Sequence, residues 1–118
     1  MTRPVQIQWL TKADFWKLVA PRPKAQTEQD GEFHFQMPLH EIRARIRSVP
    51  PEFTPADECD FPGPVERWYG IADGHRFILT YWYSSPVAHC VTIQHEAGAA
   101  AGAAVSAAIE RWRSQSPY

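Results

Sequence analysis

Cysteine is scarce: Cys59 and Cys90 are the only two among 118 residues. They are too few and too widely spaced for a zinc site or a disulfide framework. The five histidines show no HxH or HExxH spacing, and no Cys-x-x-Cys occurs. A G-x-S-x-G nucleophile elbow is also missing. No apolar run approaches the length of a membrane span, and the opening MTRPVQIQWL lacks a signal-peptide core. Excess charge of one sign is absent too, since the formal net charge is -1. That removes any overall bias toward nucleic acid or an anionic membrane. The expectation is a cytoplasmic protein with two thiols, no metal, no cofactor and no catalytic motif.

What is present is an ordinary globular composition, 44% hydrophobic and 21% charged, in a chain long enough for one core. Residues 1–118 therefore read as one domain. Prolines number eleven, about twice the usual share, and seven of them gather at 21–23, 50–55 and 62–64. Charge is unevenly placed. Residues 1–24 carry Arg3, Lys12, Lys17, Arg22 and Lys24 against Asp14, whereas residues 52–66 carry Glu52, Asp57, Glu58, Asp60 and Glu66 with no basic residue.

The plainest structural signal lies in residues 66–95, ERWYGIADGHRFILTYWYSSPVAHCVTIQH, which hold six of the fifteen aromatic residues. Asp73-Gly74 between alternating apolar runs predicts a two-residue hairpin turn, because a type I′ turn needs φ > 0 at both central positions. That turn pairs Ala72 with His75, Gly70 with Phe77, Trp68 with Leu79 and Glu66 with Tyr81. A third run ending at His95 completes a meander, with Val91 and Ile93 expected to join Leu79 and Tyr81 on the core face. Tyr69, Ile78 and Trp82 fall on the other face, either under another layer or exposed beside Arg67 and Arg76.

Elsewhere, alternation predicts strands over residues 5–10 and 32–37. Thr11 followed by Asp14 predicts a capped helix over 12–19, and Pro38 starts one over 38–49 with Leu39, Ile42, Ile46 and Val49 as its apolar stripe. Residues 96–114 predict a third helix. Its small residues suit flat packing on a sheet, and Val105, Ile109 and Trp112 form its stripe. The fold class is α+β: an antiparallel sheet with a three-stranded C-terminal meander plus one or two N-terminal strands, packed by three helices.

Histidine acid/base chemistry of a small RNA-cleaving or other hydrolytic domain could draw on His75 and His89. His89 and His95, six residues apart on one strand, would stand about 20 Å from each other and cannot share an ion. Arg43, Arg45 and Arg47 read as a solvated helix face rather than a nucleic-acid surface. The acidic connection over 52–66 can steer a basic partner, and Phe53 and Phe61 could pin it to the body. Asp57, Glu58 and Asp60, with Arg67, Tyr69 and Trp82 from the sheet, are the candidate partner-binding residues.

A short α+β chain with the aromatic hairpin WYGIADGHRFILTYW, an acidic loop and no enzyme motif resembles the small immunity proteins encoded beside bacterial polymorphic toxins. That resemblance implies a non-enzymatic protein that binds one cognate toxin and blocks it. It implies a protein partner, with neither nucleic acid nor membrane as the target.

Overall fold

In the computed structural model, which describes residues 7–17, 31–55, 63–96 and 98–115, Asp73 and Gly74 take φ of 51° and 78°. These are the left-handed conformations that the hairpin turn demands. The two strands it joins, β4 (Val65–Ala72) and β5 (His75–Trp82), pair Ala72 with His75 and Trp68 with Leu79, in the register read from the sequence. The third meander strand, β6 (Cys90–His95), sets Ile93 against Leu79 and Val91 against Tyr81. The loop of residues 83–89 thus delivers Val91 and Ile93 to the core face.

Two N-terminal strands extend the meander. One, β2 (Gly31–Gln36), pairs with β6; the other, β1 (Ile7–Leu10), pairs with the second half of β4. A further short strand, β3 (Glu52–Thr54), forms inside the proline-rich connection and pairs with the first half of β4. Strands β1 and β3 therefore share one edge end to end. All pairings are antiparallel, and the sheet order is β1-β4-β5-β6-β2.

Three helices accompany the sheet: α1 (Lys12–Lys17), α2 (Leu39–Arg45) and α3 (Ala99–Ser114). The Thr11 hydroxyl caps α1 by accepting from the Asp14 N–H at 3.1 Å. On the inner sheet face Trp68, Phe77, Leu79, Val91 and Ile93 meet Ile42 and Ile46 from the α2 region and Val105, Ile109 and Trp112 from α3. Small residues bring α3 close. A side chain at Gly102 would come within 3.2 Å of the His95 ring, and Ala101 and Ala108 are buried. Gly98 lies before the helix with φ of 115°, so its role is conformational rather than close packing. None of the described helices is long and apolar enough to cross a membrane.

Two expectations need correction. Helix α2 ends at Arg45, not at residue 49, because Ile46 leaves the helical region (φ -116°, ψ 86°). Ile46 is nevertheless buried and Val49 packs against the core. The arginines of α2 are also not a uniformly solvated face. Arg45 is sequestered: it donates to the carbonyls of Trp112 (2.7 Å) and Gln115 at the end of α3 and to Glu41 (2.9 Å). A guanidinium there adds donors to carbonyls at the C-terminal end of the helix and complements its dipole.

Candidate functional site

The outer sheet face is divided. At the β1 side, Phe15 of α1 lies 4.9 Å from the Tyr69 ring, and Tyr69 is only 4% exposed. Its hydroxyl donates to Glu52 at 3.1 Å. Glu52 also pairs with Lys12 (2.7 Å) and stands 4.0 Å from Arg67. Tyr69 and Arg67, named from the sequence as partner contacts, thus belong to a network that ties α1 and β3 to β4.

Burial first, and then the Glu52 carboxylate, push the Tyr69 phenol up to about 12 from 10.0. The folded protein holds that proton more tightly than the unfolded chain does. Its stabilising contribution is therefore complete below pH 10 and is lost as the pH rises through about 12. Urea denaturation of wild type and Tyr69→Phe should show the wild type losing more stability between about pH 9 and about pH 12. Equal losses in the two proteins would remove Tyr69 as the source.

At the β2 side, the same face carries a cleft of about 250 Å³ whose walls include Trp82, Cys90, Ser85, Pro86 and His34. Trp82 donates its indole N–H to Thr92 Oγ1 at 2.8 Å. That oxygen also lies 3.1 Å from His34 Nδ1, while His34 Nε2 contacts Glu32 at 3.0 Å. Both ring nitrogens are therefore engaged, and His34 acts as a strut rather than a base for the nearby Cys90. Cys90 is a free thiol.

On the outer side Trp16 of α1, packed on Phe15 and Tyr69, is half exposed; a second exposed aromatic surface, a pair of touching rings, lies on the inner side of the sheet. Phe53 of β3 is 55% exposed and Tyr83, just past β5, is 42% exposed. Their rings meet edge to face at 6.0 Å, and Tyr83 packs in turn on Tyr81 at 5.4 Å. Beneath them Glu66, 5% exposed, accepts from Arg43 at 2.6 Å. That hydrogen bond raises the Arg43 pKa. Burial and then the Glu66 carboxylate raise the Tyr83 phenol. The patch is thus an apolar pair on a charged, hydrogen-bonded base.

Phe53 holds its part of the connection on the body as a strand residue opposite Glu66, with its ring against Tyr83 and half exposed rather than in the core. The alternation Glu52-Phe53-Thr54 is the one local signal for that strand, and proline on both sides masks it. Asp57, Glu58 and Asp60 lie outside the described residues, as do Cys59 and Phe61. The residues flanking that segment are placed. Thr54 pairs with Val65, Pro64 O accepts from the Tyr83 N–H at 3.2 Å, and a side chain at Gly63 would strike Ser84. The described residues on either side of the acidic segment therefore lie near Tyr83.

The candidate histidines are not brought together. His89, with φ of 55°, has Nδ1 3.2 Å from the Tyr81 hydroxyl, whereas His75 lies at the opposite end of β5, 3.7 Å from Glu96. By register, they are separated by the length of β5, roughly 25 Å at the usual strand rise. No family model, curated protein or solved structure matches the chain.

Proposed function

We propose that this chain is a non-enzymatic protein-binding module of the immunity type, which binds and neutralises one cognate bacterial toxin through the Phe53–Tyr83 patch. The observation that carries this reading is the half-exposed aromatic pair. Interface hot spots favour aromatic anchors on a rigid base, and arginine at their margin, where Arg43 stands. The carboxylates Asp57, Glu58 and Asp60, which follow Phe53 closely in the sequence, supply long-range attraction for a basic partner. Trp82 is a secondary contact through its cleft. Acid/base hydrolysis by His75 and His89 is not supported by their separation.

The test uses a toxin encoded directly upstream, if one is there. Its C-terminal domain is titrated calorimetrically with the wild type and with Phe53→Ala combined with Tyr83→Ala. The double variant should bind at least about 30-fold more weakly and fail to protect cells, with an unchanged circular dichroism spectrum. Asp57→Lys with Asp60→Lys should lower the association rate and its salt dependence. Undiminished affinity of the double aromatic variant would remove the patch from the interface. Failure of the wild type to protect against that neighbouring toxin would overturn the immunity reading.

A further inference from the structure

Among the described residues, β2 pairs with β6 alone and leaves its other side as a sheet edge. The direction of its backbone groups follows from one bond. The Met37 N–H donates to His89 O at 2.9 Å, one step beyond the Gln36–Cys90 pair. Residues 37 and 89 are thus a hydrogen-bonded pair, and antiparallel ladders alternate. Gly31, Phe33 and Phe35 therefore turn their N–H and C=O groups toward β6, while Glu32, His34 and Gln36 turn theirs outward. Natural edges are commonly blunted by lysine, proline or a bulge. The strand GEFHFQ contains neither lysine nor proline and pairs with β6 without a break in register.

We propose that β2 is a dimerisation edge whose occupant is β2 of a second copy of this chain, running antiparallel about a two-fold axis at Phe33. The edge is self-complementary in that register. Each Glu32 stands opposite His34 of the other copy on the outer face, and both are residues whose backbone groups point outward. The two Phe33 rings meet on the inner face in a non-hydrogen-bonded pair, where side chains approach most closely. Phe33 is only partly buried within one copy, and Glu32 and His34 side chains are 45% and 58% exposed. A register centred on His34 would instead oppose the two histidines and lose both intermolecular Glu–His pairs, keeping only the Glu32–His34 contact within each copy. The donor–acceptor pairing of Glu32 with His34 across the edge therefore selects the Phe33-centred, isologous arrangement.

Sedimentation velocity on the full chain from about 1 µM to about 1 mM should show a reversible monomer–dimer equilibrium. His34→Pro removes an outward N–H and spares the β6 ladder, so dimerisation should weaken about a hundredfold. Glu32→Lys, a surface change that leaves the fold intact, should also weaken it. Adding His34→Glu to Glu32→Lys should restore it, which a His34-centred register would not allow. A monomer throughout that range overturns the proposal. So does a dimer indifferent to both His34→Pro and Glu32→Lys, because its contact would lie on another surface.

Discussion

Replacing Trp68 with alanine is expected to remove about 3–5 kcal/mol of stability, the largest loss from any single side chain here. Trp68 is 1% exposed and sits in the middle of β4 on the inner face, among Leu79, Phe77 and Ile109 in the same core cluster. Domains of this size are stable by about 5–15 kcal/mol in total, so the substitution consumes roughly a fifth of it or more. The indole is not ideal, however. Its Nε1 is buried with no acceptor among the described residues, and an unmatched buried donor costs about 1–3 kcal/mol. Trp68→Phe discards that donor while keeping most of the apolar area. Its net cost should therefore stay below about 1.5 kcal/mol. Urea denaturation followed by far-ultraviolet circular dichroism measures both. A Trp68→Phe loss equal to that of Trp68→Ala would mean that the orphaned donor carries no penalty.

Gly70→Val should cost about 2–3 kcal/mol, although valine suits strands far better than glycine. A Cβ at position 70 would lie 2.6 Å from Phe77 Cζ and 2.9 Å from its Cε1. The phenyl ring has little room to retreat: Phe77 is 1% exposed and Trp9 packs against it edge to face at 5.5 Å. The strand preference of valine is worth no more than about 1 kcal/mol, so the clash wins. Shrinking the obstacle should reduce the cost. With Phe77→Leu in place, Gly70→Ala should cost less than it does alone, a coupling measurable by a double-mutant cycle. Strict additivity would show that the ring and position 70 do not compete for space.

The hairpin that crowds Phe77 over Gly70 is legible in the sequence, because turn chemistry and the strand period are local. Asp73-Gly74 sets the turn, and a repeat of two then assigns every side chain of β4 and β5 to a face. The stripe of α3 and the Thr11 cap are local in the same sense. Strand β3 is not legible in that way. Three residues between prolines carry almost no periodic signal, and their partner strand begins more than ten positions further along the chain. The C-terminus of α2 escapes a periodicity argument for a related reason. Apolar spacing continues to Val49 because those residues still face the core after the helix has ended.

The candidate surface divides along the same line. That Tyr69, Ile78 and Trp82 share a face follows from parity within two strands. Whether that face is open depends on Phe15, more than fifty positions away from Tyr69, settling onto it. The exposed pair Phe53–Tyr83 likewise joins residues thirty positions apart, supported by an ion pair between α2 and β4. The sequence by itself determined the α+β class, the hairpin register and the inward set Trp68, Phe77, Leu79, Val91 and Ile93, since each rests on contacts between near neighbours or on a fixed period. Only the tertiary structure decided which aromatic residues are covered and which stand in solvent, because burial is a property of what packs from afar.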